Sequence, residues 1–475
     1  MSNNELHRLS AVEAVAALRR GDVSPLELVD AAAARIEATD GALNALPTRC
    51  FDRARDRAKR LMDAPTDRSD TPSWLGGLPV AIKDLNPVAG VRCTHGSPIY
   101  ADHVPDESDL VVERLEANGA IVVAKSNTPE FGAGASTFNE VFGKTRNPWN
   151  TNKSVAGSSG GAAAALASGQ VWLAQGSDMG GSLRTPASFN AVVGLRPSPG
   201  RVPHGPDALP FQTLSVNGPM GRRADDVALM LDAMCGHDRR DPLSYPAPAE
   251  SYLSATRSAR PPARVAFSPN LGFAPVEPEV RAICAAAAES LAGGGTAVVE
   301  ACPDVAGAEP AFQTLRAAHF AAEMADTLRQ HRALLKPEVV WNIEAGLALT
   351  AEEIGRAEAE RGRLLGRVAA FFRDHDLLLC PTAIVPPFDV DVRYVEEAAG
   401  ERFDNYVQWI AITAVLTLTG CPVASVPAGF TADGLPVGLQ VVGPPRGEAA
   451  VLAGAHLLEQ ATGIADRLPI DPVTP

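Results

Sequence analysis

Residues 154–182, SVAGSSGGAAAALASGQVWLAQGSDMGGS, place a glycine-flanked turn, an alanine-rich stretch, an apolar run and a second glycine-rich turn in direct succession. The alanine-rich stretch predicts a helix, because alanine has the highest helix propensity. The apolar run VWLAQ (171–175) has the length and composition of a buried strand. A helix followed by a strand indicates an α/β fold, in which helices cover a sheet.

Further apolar runs lie on both sides of this segment. The stretches between them have a helical pattern, as in DLVVERLEAN (109–118), and we therefore expect a mixed β-sheet covered by helices on both faces. The additional strand candidates are LPVAI (78–82), AIVVAK (120–125), ARVAFS (263–268), LLLCP (377–381), VASVPAG (423–429) and GLQVVG (438–443).

The chain shows no internal repeat and no low-complexity linker, so we expect one continuous domain over residues 1–475. Near its start, Ser24 is placed to cap a helix that begins at Pro25. The predicted parts are an N-terminal helical layer, a core with the quoted segment, a mostly helical part and a C-terminal part of the sheet: residues 1–65, 75–230, 275–375 and 376–475.

The balance of charge excludes several classes of partner. Lys and Arg total 42 and Asp and Glu total 56, so the formal net charge is −14, without long runs of one sign. Such a chain repels phosphate backbones and anionic membranes, and we expect neither a nucleic-acid nor a membrane partner. Seven scattered cysteines, never spaced as C-x-x-C, and an N-terminus without the order of a signal peptide indicate a cytoplasmic protein.

Lys83 follows the apolar run LPVAI and is a candidate general base. A lysine at the end of a buried strand loses solvation, which lowers its pKa and allows a neutral, proton-accepting amine near neutral pH. The alternative interpretation of this segment alone is a lysine at the wet end of the strand that pairs with Asp84.

Two glycine-rich turns carry serines that suit nucleophilic catalysis. In GSSGG (157–161) the glycines permit close backbone approach at a helix start, which offers free N–H donors. This turn also fits a phosphate-binding loop, or a G-x-S-x-G elbow with Ser159 as nucleophile, although residues 150–156 do not read as the strand that an elbow requires. In GSDMGGS (176–182) the glycines before Ser182 let backbone N–H groups converge on a tetrahedral oxyanion, and the alternative is a plain turn.

Together, the lysine of GLPVAIKD (77–84), the GSSGG turn and the serine of DMGGS (178–182) resemble the amidase signature family. The resemblance covers most of the chain. It extends through KSNTPEF (125–131), RNPWN (146–150), VVGLRPSPGRV (192–202) and VPAGFTADGLPVGLQVVGP (426–444).

The resemblance implies an amide hydrolase with Ser182 as the nucleophile and Ser158 passing its proton to Lys83. It also implies a cis peptide bond between Gly157 and Ser158. The backbone N–H groups that it assigns to the oxyanion hole are those of Met179, Gly180, Gly181 and Ser182.

The same resemblance assigns roles around these residues. Asp178 and Arg184 either fix the glycine-rich turn or form a structural ion pair. The loop Phe131, Gly132, Ala133 and Gly134 is similar to the family's segment beside the acyl pocket. No metal or cofactor is implied.

Other functions fit the sequence less well. The glutamine-hydrolysing subunit of a tRNA-dependent amidotransferase has an aspartate that receives the substrate ammonium, and the matching position here is Ile410. A P-loop would need glycine where Phe138 stands, and none of the nine histidines forms H-E-x-x-H. A catalytically silent member is disfavoured by the intact Lys83, Ser158 and Ser182.

The segment FDNYVQWIAITAVLTLTG (403–420) is expected to line the leaving side of the pocket, with Tyr406, Trp409 and Ile410 at helical spacing. The alternative is that these three are core residues. Because no charge is expected there, we predict a small-molecule substrate, a neutral or aryl amide, with carbamates and anilides as further candidates and some esterase activity. The sequence leaves open whether the chain forms a homodimer.

Overall fold

The computed structural model describes residues 5–64, 71–206, 208–258, 260–292 and 295–475, so the two ends of the predicted N-terminal layer, residues 1–4 and 65, lie outside it. Within the described residues the α-helices are α1 (Ala11–Arg20), α2 (Pro25–Leu43), α3 (Phe51–Asp63), α4 (Leu110–Ala117), α5 (Gly160–Ala167), α6 (Arg184–Asn190), α7 (Ala224–Met234), α8 (Tyr252–Arg257), α9 (Pro278–Glu289), α10 (Ala308–His331), α11 (Pro337–Leu347), α12 (Ala351–Phe371), α13 (Ala411–Thr417) and α14 (Glu448–Thr462). Short 3-10 helices cover Leu6–Arg8, Pro98–Tyr100, Glu130–Gly132, Arg332–Leu334, Gln408–Ile410 and Ile464–Arg467.

The strands of the described residues are β1 (Thr48–Arg49), β2 (Pro79–Lys83), β3 (Ile121–Ser126), β4 (Phe138–Asn139), β5 (Gly143–Lys144), β6 (Arg146–Asn147), β7 (Asn150–Ser154), β8 (Leu173–Asp178), β9 (Val193–Arg196), β10 (Val216–Gly221), β11 (Arg264–Phe267), β12 (Ala297–Glu300), β13 (Leu377–Pro381), β14 (Glu397–Ala398), β15 (Glu401–Arg402), β16 (Val423–Phe430) and β17 (Pro436–Val442). Eleven of them form one sheet in the order β1-β3-β2-β8-β10-β9-β16-β17-β13-β11-β12.

The central sheet is mixed. β2 runs parallel to both β3 and β8, whereas β10 is antiparallel to β8 and β9. β11 is parallel to β13 and β12. The central sheet takes strands from residue 48 to residue 442, and the division into one continuous domain stays a prediction.

Both faces of the sheet are buried under helices. Neighbouring residues of a strand point to opposite faces, and Leu173 and Ala174 of β8 belong to two different apolar clusters. The cluster of Ala174 includes the alanines of α5, and that of Leu173 includes the apolar residues of α7. The predicted α/β class, with a mixed sheet flanked by helices, is confirmed.

All seven predicted strands are present, as β2, β3, β8, β11, β13, β16 and β17. The Ser24 cap is also confirmed, because its side chain accepts a hydrogen bond from the Glu27 N–H. The sequence did not predict β9 and β10, which are short or interrupted by glycine and proline, nor β12 within the mostly helical residues 275–375.

No helix of the described residues is long and apolar enough to cross a membrane. All seven cysteines are free thiols.

Helix α5 begins in very close contact with the chain around it. A Cβ atom added at Gly161 would lie 2.6 Å from the Ala45 carbonyl oxygen and still closer to the Asn127 nitrogen. All residues of α5 are buried, and most are alanine or glycine. The small side chains of this segment therefore allow the helix to start directly against its neighbours.

We expect Gly161→Ala to destabilise the protein by about 1–3 kcal/mol, because the added methyl group has no space. Gly355→Ala is the matched control: Gly355 is exposed on α12 with nothing within 4 Å of an added Cβ, and this change should stabilise by up to about 1 kcal/mol. Urea unfolding of both variants measures the difference. Equal stability of Gly161→Ala and wild type would contradict the close approach.

Candidate active site

Three segments far apart in the sequence meet at one edge of the sheet. Lys83 is the last residue of β2, and the turn that contains Ser182 follows β8. Because β2 and β8 are parallel neighbours, their carboxyl ends lie side by side. The GSSGG turn, at the start of α5, brings Ser158 to the same place, where its Oγ is 2.6 Å from Lys83 Nζ.

Lys83 is fully buried among hydroxyl groups. Its Nζ lies 2.6 Å from Ser158 Oγ, and Ser159 Oγ and Ser177 Oγ are at 2.9 and 3.0 Å. Burial lowers the pKa of Lys83 from 10.5 to about 7, with Asp178 acting in the opposite direction. The lysine is therefore able to accept a proton near neutral pH.

The alternative pairing of Lys83 with Asp84 is not present. The Asp84 carboxylate lies 3.6 Å from Lys125 Nζ and accepts hydrogen bonds from the N–H and the hydroxyl of Thr94. Lys83 is thus left without a carboxylate partner within 4 Å among the described residues.

The peptide bond between Gly157 and Ser158 is cis, which confirms the implication of the resemblance. The expectation that residues 150–156 contain no strand is wrong, since β7 covers Asn150–Ser154. However, β7 pairs with β6 in a two-stranded ribbon outside the central sheet and makes one isolated bridge, between Lys153 and Asp389. Ser159 is fully buried, with its Oγ at Lys83 Nζ and Ser177 O, so this geometry does not resemble an exposed nucleophile elbow.

The backbone of the turn before Ser182 is held by Asp178. Gly181 donates its N–H to Asp178 Oδ1 at 2.9 Å, and Leu183 donates to Oδ2 at 3.1 Å. The N–H of Gly181 is thus already engaged by this carboxylate, and its place in the oxyanion hole stays a prediction. Among the described residues, no acceptor is found for the N–H groups of Met179, Gly180 and Ser182, which stay candidates.

Ser182 and Ser158 both line the same small cavity of about 80 Å³. Within the described residues no hydrogen bond joins their Oγ atoms. Such contacts are often long without a substrate and shorten when one binds.

Asp178 is buried between two guanidinium groups. Arg184 Nη2 donates to its Oδ1 at 2.9 Å and Arg184 Nε to its Oδ2 at 3.0 Å, and Arg196 Nη1 lies 3.4 Å from Oδ1. Burial alone would raise the pKa of Asp178, but Arg184 and Arg196 hold it well below its usual range. The two alternatives for these residues, an ion pair and a contact that fixes the glycine-rich turn, are therefore both present: Asp178 pairs with Arg184 and also accepts the N–H groups of the turn.

Most of the predicted pocket residues line the cavity, namely Phe131, Gly132, Gly134, Tyr406 and Ile410. Ala133 and Trp409 do not. The Ala133 carbonyl accepts a hydrogen bond from Lys336 at 2.6 Å, and Trp409 packs between the rings of Phe189 and Phe388 in the core.

Sequence reasoning missed other lining residues: Leu85, Ala135, Ser177, Ser215, Arg316 and Phe320. Ser177 was detectable, since it lies two residues after the predicted strand 171–175 and directly before Asp178. Arg316 and Phe320 lie one turn apart on α10, far along the chain, and nothing in the sequence linked them to Ser182. A second cavity of about 460 Å³ adjoins the first through Leu85, Phe131, Met179 and Phe320.

The described residues contain no group of three or more His, Cys, Asp or Glu side chains that is placed to hold a metal ion.

Comparisons with known proteins identify similar chains and a similar overall fold. The protein-family model described as Amidase matches residues 27–452. An acylamidase of Rhodococcus erythropolis is 36% identical over 480 residues, which cover 99% of each chain. A glutamyl-tRNA(Gln) amidotransferase subunit from Moorella thermoacetica is 35% identical over 489 residues, covering 98% of this chain and 99% of that one. The crystal structure of a bacterial aryl acylamidase of the amidase signature family matches with a TM-score of 0.89 at 27% identity, covering 97% of this chain and 99% of that one.

The two adjacent serines give a matched pair of variants. Ser158→Ala should lower kcat/KM for an amide by at least about a hundredfold, because it removes the hydroxyl between Lys83 and the cavity. Ser159→Ala removes an equally buried bond to Lys83 that does not face the cavity, and should cost less than about tenfold. Steady-state kinetics of the two variants decide between Ser158 as the proton relay and Ser159 as the nucleophile. A larger loss of kcat/KM in Ser159→Ala than in Ser158→Ala would support Ser159 as an elbow nucleophile.

Proposed function

This chain belongs to the amidase signature family and is an amide hydrolase, and we propose that it cleaves neutral or aryl carboxamides through an acyl-Ser182 intermediate. The observation that carries the proposal is the buried Lys83, whose Nζ lies 2.6 Å from Ser158 Oγ at the wall of the cavity that contains Ser182. The acylamidase relative and the aryl acylamidase structure support the same substrate class by their names.

The proposed reaction begins with two proton transfers. Neutral Lys83 accepts the proton of Ser158 Oγ, while Ser158 accepts that of Ser182 Oγ, which attacks the carbonyl carbon of the amide. The carbonyl oxygen becomes an oxyanion, and the backbone N–H groups of Met179, Gly180 and Ser182 are available to stabilise it.

The second half returns the proton to the leaving group. The C–N bond breaks as protonated Lys83 sends a proton through Ser158 to the departing nitrogen, which leaves as a neutral amine. Water then attacks the acyl-Ser182 ester by the same relay, releasing the carboxylic acid and free Ser182. An amine leaving group needs this proton more than an alcohol leaving group does. The proton relay therefore favours amide substrates and also permits the cleavage of esters.

The substrate class is supported by the lining of the cavity. Leu85, Phe131, Phe320 and Ile410 provide apolar and aromatic surface next to the serines. Such a surface suits an aryl or apolar group beside the scissile bond. Anilides and carbamates share the planar C–N geometry and are proposed as further substrates, which would include urethanase activity.

Glutamine hydrolysis within a tRNA-dependent amidotransferase is the second candidate, because the curated relatives include a component of such an enzyme. Ile410 lines the cavity where that component is expected to have an aspartate. No Asp or Glu of the described residues lines this cavity. The ammonium group of glutamine would therefore lack a counter-charge at the position of Ile410, because the nearby carboxylates Asp109 and Glu323 line the adjoining cavity instead. This difference favours the acylamidase-like function.

We also propose a cellular location and a class of partners for the protein. The seven free cysteines support a cytoplasmic location, where thiols stay reduced. The net charge of −14 supports the absence of a nucleic-acid partner. A homodimer stays an open prediction.

The pH dependence of kcat/KM should report Lys83. Its pKa is lowered to about 7, so the neutral base predominates above that pH, and the rate should rise from acid and reach a plateau above about pH 8. At about pH 5 it should be roughly a hundredth of the plateau, because only that fraction of the lysine is neutral.

Lys125→Met is a matched control for this profile, since Lys125 is also fully buried but binds the Asn86 backbone carbonyl outside the cavity. It should lower stability and leave the midpoint near pH 7. A rate that does not change between about pH 5 and pH 9 would exclude Lys83 as the base.

A panel of neutral aryl amides, carbamates, esters and glutamine tests the substrate class. Wild type should cleave the aryl amides, and Ser182→Ala should lose at least about a thousandfold of that activity. Ser168→Ala, a buried serine bonded to the Ala164 carbonyl, is the control and should keep full activity. Cleavage of glutamine alone, or no cleavage until a partner protein is added, would favour the amidotransferase.

A further inference from the structure

Arg316 is a buried guanidinium in the wall of the catalytic cavity. Its side chain extends from α10, the residue is 5% exposed, and it lines the same cavity as Ser158 and Ser182. Burying a guanidinium is costly unless an anion or several acceptors compensate for the lost water.

The partners of Arg316 are all uncharged. Nη1 donates to Asn342 Oδ1, and Nη2 donates to the Tyr406 hydroxyl at 2.7 Å. Its guanidinium carbon lies 4.5 Å from the ring centre of Phe320 and 5.4 Å from that of Tyr406. Among the described residues, no carboxylate lies within 4 Å of it.

Other buried arginines of the chain are compensated differently. Arg184 and Arg196 share the carboxylate of Asp178. Arg222 donates to the backbone carbonyls of His7 and Leu9, away from the cavity. Arg316 has neither arrangement, although a guanidinium has five N–H donors and its two protein hydrogen bonds use only part of them.

We propose that Arg316 binds a carboxylate of the substrate, so that the enzyme prefers amides that carry a carboxylate away from the scissile bond over their neutral isosteres. The inference rests on the proposed function and narrows its substrate class, with neutral aryl amides as slower substrates. Arg316 is well suited to a carboxylate because its planar N–H groups match the two oxygens, and the bond is strengthened where water is excluded.

The cavity also distinguishes among carboxylates. An α-amino acid such as glutamine brings an ammonium group together with its carboxylate, and no Asp or Glu of the described residues lines the cavity to receive it. Asp109 and Glu323 line only the adjoining cavity, which Arg316 does not line. The preferred substrates are therefore carboxylates without an ammonium group next to the carboxylate, held against the rings of Phe320 and Tyr406.

Two isosteric pairs of substrates test the proposal and show which part of the substrate carries the carboxylate. 4-Acetamidobenzoate and 4-nitroacetanilide differ in the leaving amine, and succinic acid monoanilide and 4-oxopentananilide differ in the acyl group. In at least one pair, Arg316→Gln should lower kcat/KM of the carboxylate member by about tenfold to a hundredfold and that of the neutral member by less than about threefold.

Arg316→Lys keeps a positive charge and should restore part of the preference. Arg222→Gln, which removes a buried arginine outside the cavity, should leave the ratio within each pair unchanged. If Arg316→Gln lowers both members of each pair equally, Arg316 has only a structural role and the proposal is overturned.

A binding measurement separates failure of this proposal from failure of the proposed function. Calorimetry with benzoate and benzamide on the Ser182→Ala protein needs no turnover. Benzoate should bind at least about tenfold more tightly, and adding Arg316→Gln should remove that difference. Equal affinity for both ligands would overturn the anion site even if amides are hydrolysed, whereas a benzoate preference without any amide hydrolysis would overturn only the proposed function.

Discussion

The carboxylate of Asp178, buried between the guanidinium groups of Arg184 and Arg196, is the interaction on which the candidate site depends. It accepts the N–H groups of Gly181 and Leu183, and so shapes the turn around Ser182. Arg184 extends this contact to the Thr413 carbonyl and to Gln440 on β17, on the other half of the sheet. One buried charge cluster therefore connects the turn around Ser182 to both halves of the central sheet. Removing one partner would leave an uncompensated charge in the interior.

Burial has the opposite outcome for Lys83, because it favours the neutral form of this side chain, whereas Asp178 is held in its charged form. Where Asp178 has two cationic partners, Lys83 has three hydroxyl groups and no carboxylate within 4 Å among the described residues, so desolvation dominates and its pKa falls to about 7. Asp84, its neighbour in sequence, pairs with Lys125 instead. The end of β2 thus places Lys83 as the candidate base, and the next residue, Asp84, lies in a separate ion pair, because successive side chains face different surroundings.

The sequence predicted those site residues that lie in short recognisable motifs better than those that only tertiary packing brings to the site. The apolar runs predicted seven strands, and the resemblance to the amidase signature family predicted which serines and which lysine would be close together. Trp409 illustrates the limit: helical spacing placed it with Tyr406 and Ile410, but only tertiary packing decides that it belongs to the core beside Phe189. Arg316 was missed for a related reason, since a single arginine on a long amphipathic helix gives no local signal that it faces a cavity. The strand β10 was missed because VNGPMG has a single β-branched residue, Val216, and contains two glycines and a proline, which are depleted in strands.

The position of α10 has a consequence for how such an enzyme changes over time. The groups assigned to chemistry lie between Lys83 and Arg196, whereas Arg316, Phe320 and Tyr406 come from α10 and the segment before α13. Mutations at Arg316 and Phe320 on α10 can therefore change part of the cavity wall without replacing a residue of the proposed proton relay or of the Asp178 charge cluster. A few substitutions in one helix can thus change the substrate specificity. Enzymes that share the same catalytic residues can then diverge in the substrates that they accept.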